Sequence, residues 1–282
     1  MSIVAPGRNI DSKTVAGFGE EWDSFDQTAL DISEWRELFE RYFSIFPWTD
    51  LPHNAEGFDL GCGSGRWAAG VIERVGTLNC IDPSAKALDV CKRRLVDNPG
   101  ARFHHASVDT IPLADSSQDF GYSLGVLHHI PDTAAAVADC VKKLKPGAPF
   151  LVYLYYAFDN RPPWFRALWK TSDFARAVIC RLPFGLRKAV TSVIAGAVYW
   201  PLARLSALLE KAGVNVEGIP LAPYRSTSFY TMRTDALDRL GTRLEQRFTR
   251  PQIATMMKAA GLEDIRFSDS VPYWVAVGRR QS

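Results

Sequence analysis

The densest chemical information in the 282-residue chain is Asp59-Leu60-Gly61-Cys62-Gly63-Ser64-Gly65-Arg66. Glycines tolerate positive φ and let backbone amides approach a ligand, and a helix starting behind them adds partial positive charge. Asp82 follows Gly65 by 17 residues, at the end of an apolar run and just before Pro83-Ser84. A carboxylate at such a strand tip suits the two hydroxyls of a ribose. The dinucleotide fingerprint would place its third glycine at position 66, where this chain has Arg, which speaks against a nicotinamide cofactor. His128-His129 could move a proton to or from a bound acceptor, or merely cap the helix that follows. Tyr155 and Tyr156 end a continuous apolar run, the place where open α/β sheets bind ligands; packing aromatics would look the same. The five cysteines form no C-x-x-C pair, and no His or Cys cluster has metal-ligand spacing, so no metal is expected.

These residues need a scaffold, and the hydrophobic pattern supplies one. Strands are predicted at 55–60, 78–81, 101–106, 120–124 and 149–156, with helices at 66–75, 84–96 and 133–144 between them. Ser84 is a good N-cap, and Lys145-Pro146-Gly147 stops the third helix. Strand and helix alternating in this way predict a parallel sheet covered on both faces. A last helix at 251–260 is followed by strands at 263–267 and 273–277, whose short link requires an antiparallel pair. The segment 157–233 breaks the alternation with helical runs at 163–180 and 186–209. Its stretch 189–203 is uncharged, but Pro201 interrupts it and it is shorter than the roughly 20 apolar residues of a membrane span.

The sequence resembles the class I S-adenosylmethionine-dependent methyltransferases. The matching blocks are D-L-G-C-G-S-G-R at 59–66, I-D-P-S at 81–84 and I-P-L-A-D-S-S-Q-D-F at 111–120. G-V-L-H-H-I-P-D at 125–132, L-K-P-G at 144–147 and A-G-L-E-D-I at 260–265 follow in family order. The resemblance covers about 55–156 and 249–279, and identifies the cofactor better than the acceptor. It implies a Rossmann-like, doubly wound α/β sheet of seven strands with an antiparallel last strand. It implies S-adenosyl-L-methionine as cofactor, with Asp59, Gly61, Cys62, Gly63 and Gly65 around the methionine moiety and Asp82 on the ribose. Many relatives carry an acid for the adenine after the third strand; this chain has Ser107, Val108 and Asp109 there, which share that assignment. Leu124 and Gly125 would flank the sulfonium. His128, His129 and Tyr156 are the catalytic candidates.

A block Phe18-Gly19-Glu20-Glu21-Trp22-Asp23-Ser24-Phe25 is similar to an N-terminal cap in some relatives. Phe18, Trp22 and Phe25 would exclude water and offer aromatic faces to a sulfonium, or form an ordinary helix face. The expected organisation is therefore a cap at 1–54, a cofactor-binding core at 55–156, a helical insertion at 157–248 and the rest of the sheet at 249–282. The whole chain has 33 basic and 31 acidic residues and net charge +2, which gives no general pull towards nucleic acid. Residues 157–230 nevertheless hold ten basic and four acidic residues, a net +6. The insertion is expected to act as a lid over a lipophilic acceptor; an interfacial helix on anionic lipid and a plain helical subdomain or homodimer surface are its alternatives. Tyr155, Tyr224, Arg225, Tyr230 and Arg243 are candidate acceptor contacts, the arginines suiting a carboxylate or phosphate. Arg239, Arg243 and Arg247 step by four, which on one helix would make an ion-paired face.

The reading is methyl transfer to a small lipophilic or anionic molecule, with oxygen preferred as the acceptor atom. Its alternatives are C- or N-methylation of a quinone, polyketide or sugar-type metabolite, and a non-catalytic cofactor-binding or membrane-associated scaffold. No nucleic-acid partner is expected. The absence of an apolar stretch in residues 1–13 predicts a cytoplasmic protein, with peripheral membrane contact through the insertion left open.

Overall fold

The computed structural model describes residues 8–282, so the first seven residues of the expected cap lie outside it. The chain forms two compact units: one runs to Asp26 and includes Leu38–Ala157 and Leu244–Ser282, the other combines Gln27–Glu37 with Phe158–Arg243. The second unit thus draws on the expected cap as well as on the expected insertion.

The helices are α1 (Ser12–Ser24), α2 (Ile32–Phe43), α3 (Ala68–Val71), α4 (Ala85–Arg94) and α5 (Thr133–Lys143), then α6 (Pro163–Ile179), α7 (Phe184–Ile194), α8 (Trp200–Lys211), α9 (Phe229–Gly241) and α10 (Arg250–Ala259). The strands are β1 (Glu56–Leu60), β2 (Thr77–Asp82), β3 (Ala101–His105), β4 (Phe120–Leu124), β5 (Pro149–Tyr153), β6 (Leu262–Phe267) and β7 (Val275–Arg280). They make one seven-stranded sheet in the order β3-β2-β1-β4-β5-β7-β6. The first five are parallel, and β7 runs antiparallel to both β5 and β6. The chain winds outward from β1 to β3 and returns to start β4 on the other side of β1. This switch opens a crevice at the carboxyl ends of the strands.

Steric complementarity locks β1 to β4. Gly57 faces Phe120 and Phe58 faces Gly121 in register. A Cβ on Gly57 would sit 2.3 Å from the Phe120 ring, and one on Gly121 the same distance from Phe58. Each phenylalanine therefore folds over the glycine opposite it, and all four residues are buried.

Two helices differ from the sequence reading. The helix predicted at 66–75 shrinks to the single turn of α3, because Gly70 within it and Gly76 before β2 disfavour propagation. In the second unit Pro201 does not break the chain's longest helix. α7, a π turn at Ala195–Tyr199 and α8 run on without interruption from Phe184 to Lys211. The wider π turn directly before Pro201 absorbs its missing N–H and ring clash. By length and composition these 28 residues meet the requirement for crossing a membrane, unlike the shorter run read from sequence. One face is nevertheless buried in the unit, where Ala195, Tyr199 and Ala203 pack with Tyr224, Met232 and Ala236.

Both ends of α9 are capped from within the same unit. At its start Glu34 accepts from the Ser228 amide at 3.0 Å and the Thr231 hydroxyl at 2.7 Å. At its end the buried Arg187 donates to the Gly241 carbonyl, and Arg176 donates to those of Thr242 and Arg243. The helix stops at Gly241, so Arg243 and Arg247 lie beyond it and the four-step arginine face does not form on one helix.

Replacing Gly57 by Ala is expected to lower stability by about 1–3 kcal/mol, since the new methyl must displace the Phe120 ring in a close-packed core. A urea transition at the wild-type midpoint would show that β1 and β4 are not locked in this way.

Candidate functional site

The crevice holds a cavity walled by the ends of β1, β2 and β4 and by α1 with the residues before it. Gly61, Cys62 and Gly63 form its floor, with Asp82, Ser107, Val108, Leu124, Gly125 and His129 around them. The structure brings these sequence-predicted residues together.

The loop is built from positions that require glycine. Gly61, Gly63 and Gly65 have φ of +77°, +53° and +74°, a region costly for any other residue. A Cβ at Gly61 would strike Val126 at 2.4 Å, and one at Gly65 would reach the Cys91 sulfur at 2.8 Å. Gly65 is therefore a packing position behind the loop rather than part of the cavity wall. The Cys62 thiol is pushed well up by burial and stays neutral.

Asp82 pins this loop. One carboxylate oxygen accepts the Gly63 amide at 2.9 Å and the other the Ser84 amide at 2.8 Å. The Ser84 hydroxyl in turn caps α4 at the Ala87 amide. Burial raises the Asp82 pKa to about 6, against the lowering effect of the two amides. Asp59 behaves differently. It is buried within β1, accepts the Tyr122 hydroxyl at 2.9 Å, and is pushed well above the usual carboxylate range by burial. It does not line the cavity.

Across the cavity, Asp109 holds down the chain before α1. Its carboxylate accepts the backbone amides of Arg8 and Asn9 and the Ser107 hydroxyl at 2.6 Å. Asn9 also exchanges hydrogen bonds of 2.8 Å with the Asp132 backbone in both directions. Asn9, Ile10, Asp11, Thr14 and Val15 consequently line the cavity, a wall the sequence reading missed. The available signal was Asp11, which caps α1 at the Thr14 amide. From the expected cap, Phe18 and Trp22 line the cavity; a Cβ on Gly63 would meet the Trp22 indole at 3.1 Å. Phe25 is buried and does not line it.

The two histidines separate. His129 lies in the cavity wall with the Phe18 ring 5.0 Å away. Its Nδ1 meets the Leu244 carbonyl at 2.7 Å, which makes Nδ1 the donor. His128 is behind that wall, fully buried, and stacked on Tyr155 at 3.9 Å. Burial, then His129 and Arg247, hold its pKa well below the ordinary value, so it is a neutral ring. Tyr155 is covered by the Arg247 guanidinium, and Tyr156 packs on Tyr273; neither lines the cavity.

The remaining acceptor candidates belong to the second unit. The Tyr224 hydroxyl donates to Asp235 at 2.7 Å, Arg225 pairs with Glu210 at 2.8 Å, and the Tyr230 oxygen accepts the Gln27 amide at 3.0 Å. Arg243 is exposed and its carbonyl accepts from Arg176.

The cavity fits S-adenosylmethionine by a test internal to the structure. Two hydroxyls in its wall, Ser64 Oγ and Thr14 Oγ1, are buried without a hydrogen-bond partner among the described residues. Buried polar groups are normally satisfied, so these two call for a polar ligand. The glycine floor, the Asp82 carboxylate and an apolar wall at Val108 and Val126 match its amino-acid, ribose and adenosyl parts.

Comparison with known proteins agrees. Residues 58–152 match the family described as methyltransferase domain. A ubiquinone biosynthesis O-methyltransferase of Paracidovorax citrulli is 26% identical over 162 residues, 54% of this chain and 64% of the relative. One of Alkalilimnicola ehrlichii is 32% identical over 108 residues, 37% of this chain and 42% of that protein. The chain thus spans between about two fifths and two thirds of these relatives' length. Among solved structures, human N-acetylserotonin methyltransferase in complex with SAM aligns with a TM-score of 0.55 at 16% identity, covering 94% of this chain and 57% of that one. An O-methyltransferase family protein from Burkholderia thailandensis gives a TM-score of 0.55 at 14% identity, covering 92% and 59%. Residues 58–152 match the methyltransferase domain family, and the sheet that holds them has the fold of these solved methyltransferases.

Two outcomes test the role of Asp82. Below about pH 6 the carboxylate takes up a proton and loses its acceptor capacity. Affinity for S-adenosylhomocysteine is then expected to fall by up to about tenfold per pH unit. For folding alone the sign is opposite. The folded pKa lies above the unfolded value of 3.8, so this group's contribution is full below 3.8 and lost as pH rises through about 6. Asp82→Asn should remove the pH step in affinity and weaken binding at pH 8 by about 2 kcal/mol, roughly thirtyfold. Calorimetry that finds the same pH profile in wild type and variant would rule Asp82 out as the titrating group.

Proposed function

We propose that this protein transfers the methyl group of S-adenosylmethionine to a hydroxyl oxygen of a small lipophilic acceptor. The observation that carries this reading is His129, an imidazole in the cavity wall beside Leu124 and Gly125 whose Nδ1 is committed to the Leu244 carbonyl. A hydroxyl becomes a competent nucleophile as its proton departs, and an imidazole in the cavity wall is suited to take it. Relatives named ubiquinone biosynthesis O-methyltransferase support oxygen as the acceptor atom and a quinone-like ring as the acceptor class.

The cofactor, when bound, supplies a methyl group already activated by its sulfonium charge. The glycine loop, Asp82 and Ser107 hold it; the protein's remaining task is alignment and the management of one proton. His129 would take the proton that the acceptor oxygen gives up as it is methylated. Phe18, Trp22 and Val126 exclude water from the reacting atoms. His128, neutral and buried behind His129, adds no competing charge.

His129→Gln is expected to reduce kcat by about 10²–10⁴-fold on phenolic acceptors, while affinity for S-adenosylhomocysteine changes by less than about threefold. The measurement is S-adenosylhomocysteine release with mass spectrometry of the product. Methyl on carbon or nitrogen, or full turnover in the variant, would overturn the assignment.

A further inference from the structure

The described residues include 14 large hydrophobic side chains that are exposed, and 13 of them lie in the second unit, Val96 being the exception. They are not scattered. On α6, Trp164, Leu168, Phe174 and Val178 are 54%, 48%, 76% and 56% exposed. At about 100° per residue they fall within a third of the helix circumference. Along the continuous helix from Phe184 to Lys211, Leu186, Val193, Val198, Trp200, Leu205 and Leu208 are likewise exposed. This helix is about 40 Å long at 1.5 Å per residue. On this helix the unit's own core lies on the other side, where Ala195, Tyr199 and Ala203 pack with Met232 and Ala236 of α9, so its outward stripe is not needed for that packing. Apolar exposure on this scale marks an interaction surface rather than ordinary composition.

Charge selects the occupant. Residues 157–230 carry a net +6, and two of their four acids are already paired, Asp173 with Arg176 and Glu210 with Arg225. Arg166, Lys170, Arg181 and Lys211 are exposed on or just after the helices that bear the stripes. A second copy of the chain would bring like charge against like charge. A surface that is apolar inside and anionic at its rim meets both requirements, and an anionic lipid bilayer is such a surface. Trp164 and Trp200 suit its boundary, having an apolar body and a polar N–H. We propose that the exposed face of α6, α7 and α8 docks on anionic lipid membranes, with the helices lying in the interface plane. The docking stands apart from the catalytic reading, since it needs neither cofactor nor acceptor.

The test is co-sedimentation of the full chain with vesicles of phosphatidylcholine alone or mixed with phosphatidylglycerol. Pelleting with the mixed vesicles, little with phosphatidylcholine alone, and a several-fold loss between about 50 and about 500 mM salt are expected. Phe174→Ser combined with Trp200→Ser and Leu205→Ser should weaken partitioning by roughly tenfold or more, with S-adenosylhomocysteine affinity unchanged as a check on folding. Lys170→Glu with Lys211→Glu, which alters only exposed side chains, should weaken it several-fold and covers the case in which the first variant misfolds. Wild-type protein that stays in the supernatant, or pellets equally with both vesicle types, overturns the proposal. So does a stable dimer in light scattering that the serine substitutions dissociate, because the face would then be occupied by a second copy.

Discussion

Everything at the site depends on one buried carboxylate. Asp82 ends β2 below the glycine loop and receives an amide from each side, Gly63 from the loop and Ser84 from the start of α4. Removing a carboxylate from water is costly unless it is hydrogen-bonded, and these two amides provide that compensation. The arrangement couples three elements, since the loop between β1 and α3, the tip of β2 and the N-terminus of α4 cannot shift independently. It also leaves Asp82 close to its titration range, with a pKa raised to about 6. A group already poised in this way responds strongly to hydroxyl donors, whose hydrogen bonds favour the ionised form.

The cavity is completed by a second constraint that works across long sequence distances. Asp109 fastens the backbone at Arg8 and Asn9, the Asp132 backbone holds the Asn9 side chain, and this carries α1 into place with Phe18 and Trp22 facing the loop. Gly19 permits α1 to approach α4, because a Cβ there would lie 2.6 Å from the Ser84 hydroxyl. The residue that caps α4 is therefore also the one against which the N-terminal helix rests. Cofactor pocket and N-terminal wall share a single joint.

What was legible in the sequence was whatever the backbone demands of residue type. Gly61, Gly63 and Gly65 could be placed because positive φ leaves few alternatives, and Asp82 because it ends an apolar run before Pro83. The seven strands followed from their apolar patterning, and the antiparallel end of the sheet from the short link between β6 and β7. Side-chain direction was less visible. His128 and His129 are adjacent, yet only His129 reaches the cavity, because successive residues of a tight 3₁₀ turn point about 120° apart. Asp59 carries the family's motif but spends its carboxylate on Tyr122, a partner 63 residues away. The wall at Asn9 to Val15 had no periodic signature, since polar contacts with residues 100 or more positions distant hold it. Pro201 reads as a helix breaker, and only the π turn before it shows why it is not one.

The central claim is that the joint at Asp82 shapes this cavity for S-adenosylmethionine and not for a dinucleotide. Arg66, in the place of a third glycine, and the fastened N-terminal wall both belong to that claim. Isothermal titration of the full chain with S-adenosylhomocysteine and, separately, with NADH tests it most directly. Saturable one-to-one binding of S-adenosylhomocysteine is expected, with no heat of binding for NADH that the first ligand can displace. Competitive binding of NADH, or no binding of S-adenosylhomocysteine by folded protein, would contradict it.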